Sequence, residues 1–201
     1  MIVEKHGTLI ILSGPSGAGK STIISNVIAK RNDLSFSVSA TTRQPRQGEK
    51  EGTNYYFTNR EEFLKMVSEG KFLEYAEYAG SLYGTPKAPV LDILSSGKSV
   101  ILDIETKGAE QVKKSMPEAV TVFIIPPSLS ELESRLIQRN QNSYENISRR
   151  MEIARSEYEV AESYDYVVVN ADHREAEYEL DSIITAEKCR TANRIELIRR
   201  K

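Results

Sequence analysis

Residues 14–21 read Gly14-Pro15-Ser16-Gly17-Ala18-Gly19-Lys20-Ser21, with the apolar run Thr8-Leu9-Ile10-Ile11-Leu12 before them and Ile23, Ile24, Val27 and Ile28 at helical spacing after them. An apolar strand, a glycine-rich turn and a helix, in that order, form the setting of a phosphate-binding P-loop. Gly14, Gly17 and Gly19 let backbone N–H groups turn inward around a polyphosphate, where a side chain or a restricted φ would interfere. The positive end of the following helix adds to that field. Lys20 is placed to reach the outer phosphates and Ser21 to hold a Mg²⁺ ion, while Pro15, Ser16, Ala18 and Thr22 complete the wrap. The segment predicts a nucleoside triphosphate site.

Outside this loop, 201 residues predict one domain with small insertions. A hydrophobic share of 39% beside 28% charged residues argues against disorder. The net charge of −2 gives no general reason to expect nucleic acid or an anionic membrane as partner. One cysteine, Cys189, permits no internal disulfide and fits a reducing compartment. No apolar run approaches the roughly 18 residues of a membrane span, and Met1-Ile2-Val3-Glu4-Lys5-His6 has no signal-peptide character, so a cytoplasmic location is expected. His6 and His173 lack ligand-like companions, and no zinc pattern exists.

Strand-like runs at 9–12, 100–104, 120–125 and 166–169 alternate with helix-like segments, which predicts an α/β fold with a largely parallel sheet. Val90, Ile93 and Leu94 share a helical face that Gly97 closes. Ser128-Leu129-Ser130-Glu131 reads as a capping box opening a helix to about Arg139. A long helix through Ile147, Met151, Ala154, Tyr158 and Ala161 follows, and a last one runs from about Arg174 to Lys188. Residues 39–88 break the pattern with five glycines, many aromatics and period-2 alternation from Phe72 to Tyr78. They predict a small, mainly antiparallel insertion holding one short helix between Asn59 and Gly70. An insertion there suits a phosphate acceptor carried toward the triphosphate, and an arginine-rich helical hairpin forms a second insertion before Asp165.

Phosphoryl transfer requires in-line alignment and cations around the oxygens that gain charge. Arg43 and Arg46, three apart in a polar loop stiffened by Pro45, form a candidate grip for one phosphate. Arg135 and Arg139 share a helix face, and Arg149 and Arg150 open the next helix.

Beyond the loop at 13–22, Phe-Ser-Val-Ser-Ala-Thr-Thr-Arg-Gln-Pro-Arg-Gln-Gly-Glu stands at 36–49, Phe-Leu-Glu-Tyr-Ala at 72–76 and Tyr-Gly-Thr at 83–85. Ile-Leu-Asp-Ile-Glu at 101–105, Pro-Pro-Ser at 126–128 and Tyr-Asp-Tyr-Val-Val-Val-Asn at 164–170 complete an ordered series. Together these closely resemble the guanylate kinase family, to about Lys188. The resemblance implies a P-loop NTPase core of the nucleoside monophosphate kinase type at about 1–38, 89–125 and 165–190. It also implies a GMP-binding insertion at about 39–88 and a helical lid at about 126–164, with a basic tail at 191–201. The implied reaction moves the ATP γ-phosphate to GMP with Mg²⁺, in purine nucleotide metabolism, by a monomer or homo-oligomer with no nucleic-acid or membrane partner.

By the same resemblance Ser39, Arg43, Arg46 and Tyr55 hold the GMP phosphate, with Tyr83 as a further contact. Glu74 accepts from the guanine N1–H and exocyclic amine, and Thr85 meets the base. Asp103 lies near the P-loop on the magnesium shell, and Glu105 faces the GMP side. Arg135, Arg139 and Arg150 look like lid arginines, and Asn170 like the residue near the adenine or the lid hinge. The physical reading of Glu74 agrees: a carboxylate buried on an apolar, aromatic strand needs donors, and guanine offers two adjacent ones where adenine presents an acceptor. A site built this way rejects the wrong analogue by as much as about 10⁴–10⁵-fold.

Departures from the family pattern are local. The lid reads Arg139-Asn140-Gln141-Asn142 where glycine and an acidic group are common, Lys107 stands where glutamine is usual, and Glu105 where aspartate is frequent. Two alternatives remain open at this point: a paralogue with weak or shifted activity, and a non-catalytic nucleotide- or protein-binding module. The intact Gly14, Gly17, Gly19, Lys20 and Ser21 speak against the second.

Overall fold

All five residues of β1 (Leu9–Ser13) are buried, and a strand without in–out alternation needs cover on both faces. In the computed structural model, which describes residues 7–138 and 144–199, β1 leads into α1 (Lys20–Ala29), β2 (Leu34–Phe36), β3 (Ala40–Thr41), β4 (Tyr56–Phe57) and α2 (Arg60–Ser68). Next come β5 (Phe72–Tyr78), β6 (Ser81–Pro86), α3 (Lys87–Ser95), β7 (Ser99–Asp103) and α4 (Thr106–Ser115). The remainder comprises β8 (Val120–Ile125), α5 (Leu129–Gln138), α6 (Tyr144–Ala161), β9 (Tyr166–Val169), α7 (His173–Lys188) and α8 (Thr191–Arg199). The lid residues Arg139, Asn140, Gln141 and Asn142 lie outside the described residues.

The core sheet has the order β2-β7-β1-β8-β9 with every pairing parallel, as the alternating pattern predicts. Its two faces are covered separately. Ile10 and Leu12 of β1 pack with Ile23, Ile24 and Val27 of α1 and with Leu180 and Ile184 of α7. Leu9 and Ile11 face the other way, onto Val90 and Leu94 of α3 and Ala109 and Val112 of α4. Each fully buried aliphatic side chain contributes about 1.5–3 kcal/mol.

Three elements depart from the sequence expectation: β2, α4 and α8, the last a helix from Thr191 where a basic tail was expected. Strand β2 has three residues, of which only Leu34 is buried, so no periodicity marks it. Helix α4 buries only Gly108, Ala109 and Val112 on an otherwise polar segment, a stripe too narrow to stand out. Helix ends follow local chemistry. Asn59 accepts from the Glu62 N–H at 2.8 Å, and Gly97 stands beyond α3 at φ 83°. Ser128 accepts from the Glu131 N–H at 3.1 Å, but Glu131 turns to Arg135 at 2.8 Å, so only half of the expected capping box forms.

The second sheet, β4-β3-β6-β5, arises entirely from the 39–88 stretch. Pairing is antiparallel for β3 with β6 and β5 with β6, and parallel for β3 with β4. Its core is small: Ala40, Phe63 and Leu82 are buried, and Phe63 stacks on Phe72 with ring centroids 4.5 Å apart. Helices α5 and α6 close on their own cluster of Leu132, Leu136, Ile147, Met151 and Ala154.

Candidate active site

The P-loop spans the gap between β1 and α1. Its geometry depends on glycine at two points in particular. Gly14 has φ 144°, and a Cβ there would fall 2.1 Å from the Ile124 carbonyl oxygen. Gly19 has φ 90°, and a Cβ there would fall 2.2 Å from the Asn170 side-chain nitrogen. Gly19 is also the N-cap of α1, with no side-chain cap and no acidic residue in the first turn. By contrast α2 and α7 are capped by the side chains of Asn59 and Asp172. The orphan N–H groups of α1 are thus left for a ligand, and a helix start of this kind attracts an anion.

Lys20 folds back to donate to the Gly14 carbonyl, which holds the ammonium over the loop. Parallel pairing sets Leu12 of β1 beside Asp103 at the end of β7, so a carboxylate stands close to the loop. Burial pushes the Asp103 carboxyl above its ordinary value, and the charge of Lys20 opposes that push. Ser21 is exposed at the first turn of α1.

On the insertion side, a cavity of about 290 Å³ is lined by six of the expected residues: Ser39, Tyr55, Glu74, Tyr83, Asp103 and Glu105. Glu74 is 7% exposed, and its Oε1 accepts from the Thr85 hydroxyl at 2.6 Å. Thr85 is itself buried behind that carboxylate. Burial raises the Glu74 pKa, with the charge of Glu105 adding to it, and the Thr85 hydroxyl pulls the other way.

Arg43 sits with its guanidinium carbon 5.3 Å from the Tyr55 ring centroid, and the rings of Tyr55 and Tyr83 lie edge to face at 6.1 Å. Both of its terminal nitrogens engage Glu49, at 3.0 and 2.8 Å. That pairing raises the Arg43 pKa further and holds the Glu49 carboxyl below its usual range. Arg46 is not brought to the cavity wall: its side chain is exposed, and its backbone N–H donates to Glu49 at 2.7 Å.

Of the lid arginines, Arg135 donates to Glu131 at 2.8 Å and to the Asn170 carbonyl at 3.1 Å, Arg150 is half-buried, and Arg139 is outside the described residues. Asn170 is fully buried and donates to the Ala18 carbonyl at 2.6 Å, which ties the P-loop to the end of β9, while its own backbone carbonyl accepts from Arg135 of α5.

Several residues were not foreseen. Ala76, Tyr78, Ile104 and Gly108 also line the cavity. Ala76 and Tyr78 carry a legible signal, since they share the strand parity of Glu74 on β5. Burial raises the pKa of Glu157 on α6, the charge of Lys20 opposing the rise and that of Glu105 adding to it. A larger recess of about 470 Å³ lies along the C-terminal half of α1 and α7, lined by Asn26, Lys30 and Glu177, away from the loop.

A family model described as guanylate kinase matches residues 6–187. The chain is 48% identical over 187 residues to a guanylate kinase of Desulfitobacterium hafniense, covering 93% of this chain and 94% of the relative. It is 50% identical over 186 residues to one from Thermus thermophilus, covering 92% and 84%. The crystal structure of guanylate kinase from Anaplasma phagocytophilum superposes with a TM-score of 0.76 at 36% identity, covering 94% of this chain and 90% of that one. With a family model matched over residues 6–187 and this degree of likeness along nearly its whole length, the chain belongs to the guanylate kinase family.

Proposed function

We propose that the chain transfers the γ-phosphoryl group of ATP to GMP, giving ADP and GDP. The single observation that carries the acceptor's identity is Glu74, a buried carboxylate on the cavity wall with one oxygen held by Thr85. A buried carboxylate calls for donors, and the guanine N1–H and exocyclic amine supply two side by side.

In this reading a phosphate oxygen of GMP attacks the γ-phosphorus in line, and the bond from that phosphorus to the β–γ bridging oxygen breaks. Ser39, Arg43, Arg46, Tyr55 and Tyr83 hold the acceptor phosphate. Arg43 is supported for this by its place over Tyr55, and Arg46 must turn inward from its exposed position. Backbone N–H groups of 14–22 and Lys20 hold the donor phosphates. Arg135, Arg139 and Arg150 neutralise charge as α5 and α6 close and exclude water.

Mg²⁺ suits the donor set. The Ser21 hydroxyl and the Asp103 carboxylate are hard oxygen donors, and Asp103 is half-buried. Among the described residues no group of three His, Cys, Asp or Glu side chains is arranged to hold a metal, which fits an ion bound largely through phosphate and water. When bound, the ion supplies positive charge to the phosphate oxygens. The insertion at 39–88 carries the acceptor and the segment 126–164 forms the lid, a division supported by their separate apolar clusters. A role in GMP recycling within a reducing cytoplasm completes the reading. No helix among the described residues is long and apolar enough to cross a membrane.

An ADP-release assay with ATP, Mg²⁺ and GMP, AMP, UMP or CMP tests the proposal. GMP-dependent turnover of at least about one per second with AMP negligible is expected. Folded, ATP-binding protein that turns over none of the four acceptors would overturn it.

A further inference from the structure

Helix α4 contains a glycine that its backbone does not require. Gly108 lies in the first turn, is buried, and has an ordinary negative φ. Glycine in a helix interior is disfavoured by about 1 kcal/mol relative to alanine, so a residue of this kind calls for a spatial reason. The reason is the carboxylate of Glu74. A Cβ at position 108 would stand 2.8 Å from Glu74 Oε2 and 3.3 Å from its Cδ. The other oxygen, Oε1, is held by Thr85. The carboxylate is therefore held on one side by a hydroxyl and finds room on the other only because position 108 carries no methyl group.

One turn further along α4, Gln111 secures the strand that carries Glu74. Its Nε2 donates to the Tyr75 carbonyl at 3.1 Å, and its Oε1 accepts from the Tyr75 N–H at 3.2 Å. Tyr75 lies on β5, the edge of the second sheet, where outward backbone groups have no neighbouring strand. The Gln111 amide takes the place of that strand, and it pins the residue next to Glu74.

We infer that Gly108 and Gln111 are positioning residues that set where the Glu74 carboxylate stands and thereby fix which base the acceptor carries. The inference rests on Glu74 reading guanine, as proposed above. Because the group obstructed by a Cβ at 108 is the end of a flexible side chain and not backbone, Gly108→Ala keeps the fold and moves the carboxylate. Alanine's better helix propensity supports α4 in the variant.

The test compares Gly108→Ala, Glu74→Gln and the double variant, with GMP and with IMP, which lacks the exocyclic amine. Gly108→Ala is expected to raise KM for GMP about tenfold, to leave KM for ATP within about twofold, and to erode the preference for GMP over IMP. Added to Glu74→Gln it brings no further loss of the preference for GMP over IMP, because the carboxylate it acts through is already gone. Gln111→Ala introduces no clash and provides an independent arm, with a rise of about threefold in KM for GMP alone. If Glu74→Gln loses GMP selectivity while Gly108→Ala and Gln111→Ala keep it, the inference is overturned and the reading of Glu74 stands. If Glu74→Gln itself changes neither KM for GMP nor the GMP/IMP ratio, both fall.

Discussion

The phosphate loop and the acceptor cavity solve two recognition problems by opposite means. The loop gathers its groups from eight consecutive residues, Gly14 to Ser21, and offers mainly backbone N–H at an uncapped helix start. The cavity draws side chains from residues 39 to 108, which reach one place only after β3, β5, β6, β7 and α4 have paired and packed. A triphosphate presents repeated, similar oxygens, so a curved backbone with one lysine suffices. A purine base presents a specific order of donors and acceptors, and only placed side chains distinguish one order from another. The first site therefore depends on glycines that leave its backbone free to curve, and the second on the placement of individual side chains.

The sharpest break in this comparison is Lys20→Ala. It removes the Lys20 ammonium from the donor loop while leaving the backbone cradle intact. Turnover is expected to fall by about 10²–10³-fold or more, with KM for GMP changed far less. A steady-state measurement with both substrates varied checks this, and near-normal turnover would remove Lys20 from its assigned role.

The cavity is better probed by pH. Glu74 has a pKa raised by burial, and it must be ionised to accept from two guanine donors. For a carboxyl whose folded pKa lies above its ordinary value, the ionised form is present above that raised pKa and is lost as pH falls through it. KM for GMP is thus expected to climb on the acid side by about tenfold per unit once the group protonates, while KM for ATP lacks that limb. Glu74→Gln removes the limb and leaves KM for GMP high at every pH. Parallel acid limbs for both substrates would show that another group controls the profile.

How much of this was legible in the sequence follows the same division. The P-loop, the parallel sheet and the helix ends at Asn59 and Gly97 were readable because their causes are local: φ, capping and continuous apolar runs. Glu74 was readable as a lone carboxylate on an alternating strand, and its partner Thr85 came from the family likeness. Helix α4 escaped because Ala109 and Val112 give too narrow an apolar stripe, and with it went Gly108 and Gln111. Their significance exists only across the contact between α4 and β5, between residues 34 and 36 positions apart. The resemblance placed Asn170 near the adenine or the lid hinge, and only the packed structure shows its amide donating to the Ala18 carbonyl.

The smallest expected effect concerns a partly exposed carboxylate beside α1 that is as well paired as any in the cavity, yet has nothing to recognise. Asp33 accepts from Arg31 at 2.9 and 3.1 Å and pairs with Lys188, tying the end of α1 to α7. Arg31 also reaches Asp181 at 2.7 Å. Arg31 first, and Lys188 after it, hold the Asp33 carboxyl well below its ordinary value. A carboxyl with a depressed folded pKa contributes stability that is present above its unfolded value, near 4, and is lost as pH falls through the folded one. The Asp33 side chain is 39% exposed, so solvent screens the interaction, and Asp33→Asn should lower stability at neutral pH by no more than about 1 kcal/mol. The difference should shrink in high salt and vanish in strong acid, with KM for GMP untouched throughout. Denaturant titrations at neutral and acid pH measure it. A loss several times larger would mean that α1 relies on this end as well as on its loop, and that the donor site is less self-contained than its eight residues suggest.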